Sequence, residues 1–123
     1  MKPGQEVVPL DAPERYVEWL APVPEGLRVR RRLSAQTDIV HLFATSPGRV
    51  ARVLASYRPR MKDTAAVWVS WPKKASGVAS RIGEDDIRRM ALPLGLVDVK
   101  VCAVDDVWSA LKLVVRRDQR RRG

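Results

Sequence analysis

Apolar positions along this chain come in short runs whose period changes between two and about 3.6 residues, the pattern of strands alternating with helices. In the stretch 5–10, Val7, Val8 and Leu10 form one run, a strand that Pro9 pushes toward a strand end or a sheet edge. Asp11-Ala12-Pro13-Glu14 then carries helix-start chemistry: a capping carboxylate, a first-turn proline and a glutamate three residues on. Tyr16, Val17 and Leu20 continue at helical spacing, and Pro22 ends that helix near Leu20. From Leu27 to Leu33, Leu27, Val29, Arg31 and Leu33 alternate with Arg28, Arg30 and Arg32, which predicts a strand near the sheet margin.

Asp38 to Ala44 is nearly all apolar and too short for a core helix, so it reads as a strand covered on both faces. Thr45-Ser46-Pro47 supplies a cap and a first-turn proline, and Val50, Val53, Leu54 and Tyr57 line one helix face until Pro59. Ala65 to Trp71 is the next strand. Strand, helix and strand make a βαβ unit with a right-handed crossover, so the two strands are expected to be parallel neighbours. Further on, Glu84, Asp85 and Asp86 fall in the first turn of a helix whose inner face is Ile87, Met90, Ala91 and Leu94. Pro93 kinks or ends it, and Gly95 suits a left-handed position. Two alternating runs follow, Val97 to Ala103 and Ala110 to Val115, an antiparallel pair around a loop from Val104 to Ser109 that carries Asp105, Asp106 and Trp108.

A chain of 123 residues suits one hydrophobic core. We expect a single α/β domain over residues 1–115 with a mostly parallel sheet ending in an antiparallel hairpin. No apolar run reaches the roughly 20 residues of a membrane span, and MKPGQEVVPL lacks the long apolar region of a secretory signal. The expectation is a cytoplasmic protein with no membrane partner, and the single cysteine, Cys102, agrees with a reducing compartment.

Charge adds a second theme. There are 23 Lys and Arg against 14 Asp and Glu, a net charge of +9. Five arginines and one aspartate stand in 116–123, a tail read as disordered and solvated. Arg28, Arg30 and Arg32 with Arg116, Arg117, Arg120, Arg121 and Arg122 could serve a salt-dependent nucleic-acid surface. The use that needs no partner is preferred for the arginines of 28–32, which then protect an exposed strand edge from pairing.

The element order resembles the class I methyltransferase form of the Rossmann-like fold, its latter half above all. The phrases DIVHLF, VWVSWPKKASG, ALPLGLVDVKV and DDVWSALKL resemble a bacterial domain-of-unknown-function family, DUF3052-like, over about Val7 to Val115. The resemblance implies a three-layer Rossmann-like, methyltransferase-like domain and no particular chemistry. Methyltransferases of this form place a Gly-x-Gly-type turn after the first strand, whereas here the segment is Leu10-Asp11-Ala12-Pro13-Glu14-Arg15-Tyr16. It holds no glycine, so S-adenosylmethionine is not expected to bind and no cofactor is assigned; a non-catalytic binding module is expected, with a diverged transferase as an alternative.

Ligands of open α/β sheets bind beyond the carboxyl ends of the strands, which directs attention to AAVWVSWPKKASG. There Ser70, Trp71, Lys73, Lys74, Ser76 and Gly77, with Ser46 at the neighbouring strand end, could grip an anionic small molecule or a protein partner. Alternatively the lysines are solvated and Trp71-Pro72 packs over the sheet edge. His41, the sole histidine, sits mid-strand and reads as a core residue rather than a base or metal ligand. Cys102 shares an alternating face with Asp98 and Lys100, Asp105 and Asp106 read as a turn, and no metal site is expected. Trp71 and Trp108 could stack on a base, or Trp68 could fill the core with Trp108 as a plug.

Overall fold

The computed structural model describes residues 4–12, 28–30, 32–73, 82–103 and 108–117. These form β1 (Glu6–Leu10), β2 (Arg28–Val29), β3 (Ile39–Phe43), helix α1 (Pro47–Tyr57), β4 (Ala66–Pro72), α2 (Glu84–Ala91), β5 (Leu96–Ala103) and β6 (Trp108–Val115). The helix expected after Asp11 lies outside the described residues, as do Arg31, Lys74, Ser76, Gly77, Asp105, Asp106, Arg120, Arg121 and Arg122.

All six strands join one sheet in the order β2-β1-β3-β4-β6-β5. β2, β1, β3 and β4 are mutually parallel, and β6 runs antiparallel between β4 and β5. The expected architecture is therefore present, with the hairpin folded back so that its second strand, not its first, meets the parallel sheet. β1 is an interior strand rather than an edge. Pro9 is tolerated because the N–H it lacks would point toward β2, whose ladder ends where Arg30 donates to the Val7 carbonyl. Among the described residues the expected strand over 27–33 is two residues long, since the chain leaves the margin there to cross β1 and begin β3 at Ile39.

Both described helices pack on one face. Val40, Leu42, Val67, Val69, Leu111, Leu113 and Val115 meet Val50, Val53, Leu54, Tyr57, Ile87 and Ala91 there, all buried. The helices end as their sequences dictate. α1 runs into a 3-10 turn at Arg58–Arg60 with Pro59 at its start, and Arg58 Nε donates to the Leu94 carbonyl at 2.6 Å, joining the two helix ends. α2 begins where the Asp86 carboxylate accepts the Gly83 N–H at 2.9 Å, and it tightens through Pro93 to Gly95 at φ 76°.

Two expectations about the hairpin change. Trp108 is the first residue of β6 rather than part of the loop, and it pairs with Pro72. A register shift between Asp98 and Lys100 separates residues that simple alternation puts together: Asp98 pairs with Leu113 on the helix face, whereas Lys100 and Cys102 pair with Lys112 and Ala110 on the other. Asp98 instead accepts the Arg88 guanidinium of α2 at 3.1 Å.

Candidate functional site at the carboxyl edge of the sheet

β1 pairs with β2 on one side and β3 on the other, so the chain reverses its direction of growth across the sheet at β1. In open α/β sheets the crevice for a ligand opens at such a point, beyond the carboxyl ends of the two strands. The residues there are Leu10 at the end of β1 and Asp11 after it, and Ala44, Thr45 and Ser46 leading into α1. Ser46 is exposed and its hydroxyl does not cap the helix.

An ion pair crosses this crevice. Arg49, in the first turn of α1, donates from Nε to Asp11 Oδ2 at 2.8 Å and from its terminal nitrogen to Oδ1 at 3.4 Å. Asp11 stands in the left-handed region at φ 55°, which costs a non-glycine residue about 1 kcal/mol or more. That backbone turns the carboxylate back toward α1.

Next to the crevice lies the end of β4, where the Ala44 N–H donates to the Ser70 carbonyl at 2.9 Å and so brings Ser46 and Ser70 to one edge. Ser70, however, is fully buried. Its hydroxyl lies 2.8 Å from His41 Nε2 across the β3–β4 pair. Burial pushes the His41 imidazole down to about 4, so the ring is neutral at pH 7 and the two groups form a neutral hydrogen bond. A buried serine with a neutral histidine resembles half of a nucleophilic site, yet Ser70 has no exposed surface. The hydroxyl that sequence reasoning assigned to an anion is thus committed to the histidine that it assigned to the core.

Aromatic packing surrounds this pair. His41 stacks on Phe43 with ring centroids 4.4 Å apart, and Phe43 meets Trp108 edge-on at 5.1 Å. Trp71 is half-buried on the opposite face against the helical core, so Trp71 and Trp108 are not a joint stacking platform. Trp68 is half-buried too, with the Lys112 ammonium 5.8 Å above its ring. Lys73 is partly exposed just beyond β4.

The arginines of the nucleic-acid reading fall into separate places. Arg28 reaches the Gly4 carbonyl at 3.5 Å and Arg30 pairs with the buried Glu6 at 3.0 Å, so both hold the β2–β1 margin. Arg116 and Arg117 follow β6, four strands from β2 and about 19 Å away at normal strand spacing. Arg32 lines a groove, described below.

Comparison with known structures shows what the strand order is. The chain aligns with a SAM-dependent methyltransferase from Aquifex aeolicus at TM-score 0.64 and 12% identity, over 93% of this chain and 84% of that one. The B. subtilis tRNA methyltransferase TrmK aligns at TM-score 0.62 and 9% identity, over 94% of this chain and 62% of that one. A protein in the NADB-Rossmann superfamily from Streptococcus agalactiae aligns at 0.61 and 11%, covering 94% and 64% respectively. The fold is methyltransferase-like. This chain spans less than two thirds of the length of the last two. No family model matches the sequence, the DUF3052-like family included, and no curated protein matches it.

The described residues do not fit S-adenosylmethionine, the cofactor that this fold implies. The bare backbone such a ligand lies against is replaced by Asp11 and its bond to Arg49. After β2, where nucleotide-binding sheets of this kind offer a carboxylate to a ribose hydroxyl, the described residues are Arg30 and Arg32.

Proposed function

We propose that this protein is a binding module built on a methyltransferase-like fold, one that takes an anionic small molecule or an acidic protein partner at the carboxyl edge of its sheet and does not transfer methyl groups. The observation that carries this reading is the Asp11–Arg49 ion pair bridging β1 and α1 at the place where a cofactor would enter. Support for an anion comes from the exposed Ser46 at the start of α1, whose hydroxyl makes no capping bond to the first-turn N–H groups, and from Lys73 beyond β4. Lys74, Ser76 and Gly77 would complete the loop.

Thermal unfolding against S-adenosylmethionine, nucleotides, coenzyme A and inorganic phosphates tests it. A ligand at about 100 times its dissociation constant stabilises by about 2.7 kcal/mol, several degrees for a domain of this size. The expected result is a shift with an anion that Lys73→Ala abolishes, and none with S-adenosylmethionine. Saturable binding of S-adenosylmethionine would overturn the reading.

A further inference from the structure

A groove of about 430 Å³ runs beside α1, lined by Leu10, Arg32, Leu33, Arg49, Arg52, Val53, Ser56 and Arg60. Its origin is topological. β2 and β3 are parallel and lie on opposite sides of β1, so the chain must cross β1 between them. Crossovers between parallel strands ordinarily take a dozen or more residues and carry a helix that covers the sheet. Here the link is residues 30–38, nine positions, with no helix among those described. Among the described residues one flank of α1 is left uncovered, with the link as the opposite wall.

That flank is a row of arginines. Arg49, Arg52, Ser56 and Arg60 follow at spacings of three, four and four residues, which places them along one side of the helix and its terminal turn. Arg32 faces them from the link. Against these four guanidinium groups stands one paired carboxylate, Asp11 on Arg49. Arg60 gives one N–H to the Leu33 carbonyl at 3.2 Å, while Arg32 and Arg52 are exposed and make no ion pair with any described residue. The floor is apolar, with Leu10, Leu33 and the buried Val53.

We infer that this groove binds a single strand of nucleic acid through its phosphates. Guanidinium forks match phosphate oxygens in pairs and stay charged at every physiological pH. From Arg49 to Arg60 the row extends about 16 Å at helical rise, longer than one phosphate group and suited to several in succession. A floor of leucine and valine offers the sugar and base faces an apolar surface that an isolated inorganic anion would not use. The overall charge of +9 draws a polyanion toward the surface. The groove shares Leu10 and Arg49 with the crevice between β1 and α1 but not the loop after β4, and it stands whether or not that loop binds a ligand.

Fluorescence anisotropy with a labelled mixed-sequence RNA dodecamer, from about 50 to 200 mM salt, tests the inference. The full chain is expected to bind with an affinity that falls steeply with salt. The double variant Arg32→Gln, Arg52→Gln should lower the salt slope by about 1.4, at roughly 0.7 per phosphate contact on a single strand, and weaken binding at least about tenfold. Arg89→Gln with Lys100→Gln removes the same charge from exposed positions on α2 and β5 and should change affinity less than about twofold. Equal losses in both pairs would reduce the effect to net charge and overturn the site. Binding lost on removing 118–123 but unchanged in the groove variant would assign it to the tail. Displacement of the RNA by a poly-glutamate peptide at equal concentration would assign the groove to an acidic protein. Circular dichroism melting of each variant, expected unchanged since these side chains are exposed, keeps the comparison one of binding.

Discussion

His41 and Ser70 meet across the β3–β4 pair with Nε2 2.8 Å from Oγ, the serine fully buried and the histidine partly so. Burial holds the imidazole at about 4, against an ordinary value of 6.5. As the pH falls, the unfolded chain takes up a proton before the folded one does. Stability from neutral His41 is complete above about pH 6.5 and is lost as the pH falls toward 4, by a total on the order of 3 kcal/mol. Urea midpoints of the wild type should drop across that window, and those of His41→Gln should drop less. Ser70→Ala, which takes the hydroxyl from the ring, should cost about 1–3 kcal/mol at pH 7.

Asp38 ties the amino end of β3 to two neighbours. Oδ2 accepts the Glu6 N–H at 2.7 Å and Oδ1 accepts Lys62 Nζ at 2.8 Å. Burial pushes its carboxyl up, but the bonds from Lys62 and Glu6 and the charges of Lys62 and Arg28 outweigh it, leaving the group below its usual value. This contribution is present above the ordinary carboxylate range and disappears as the pH falls through the lowered value. Lys62 is about a third exposed, so solvent weakens the pair. Asp38→Asn should cost about 1–2 kcal/mol at pH 7 and distinctly less near pH 3, as read from denaturant midpoints.

Tyr57 closes the inner face of α1 by donating its hydroxyl to the Thr37 carbonyl at 3.1 Å. Burial, with the nearby Asp38 charge, pushes its phenol up to about 12. Of the two tyrosines, Tyr16 and Tyr57, the second should therefore ionise late in an ultraviolet titration. Fold stability should fall as the pH rises from 10 toward 12, because the unfolded phenol ionises first. Tyr57→Phe should remove the late step and cost about 1–2 kcal/mol by leaving the buried carbonyl short of a donor.

At Asp11 two substitutions separate backbone from charge. Asp11→Gly and Asp11→Ala both remove the pair with Arg49, an exposed bond of about 0–1 kcal/mol. Only alanine must then bear φ 55° with a Cβ. The alanine variant should be less stable than the glycine variant by about 1 kcal/mol in thermal unfolding. Equal stabilities would mean that the left-handed turn relaxes once the ion pair is gone.

Much of this molecule could be read before folding. The β3–α1–β4 unit follows from Ile39 to Phe43, Pro47 and the Val50, Val53, Leu54, Tyr57 face, because periodicity and proline act within a few residues. The left-handed Gly95 and the acidic start of α2 were legible for the same local reason. Even the row Arg49, Arg52, Arg60 had a readable helical spacing, although the apolar face of α1 is the stronger pattern and drew the reading to the core.

Strand order had no such signature. Whether β5 or β6 joins β4, whether β1 is an edge, and which hydroxyl faces His41 depend on pairings between residues tens of positions apart. Alternation likewise put Asp98 on a face with Lys100, and one register shift across the β5–β6 ladder divided them. The amino-acid sequence was sufficient for elements and their buried faces, since these rest on short-range sterics and hydrophobic burial. Only the tertiary structure could set Asp11 against Arg49 and Arg32 opposite Arg52, because one crossing of β1 by a short link decides both.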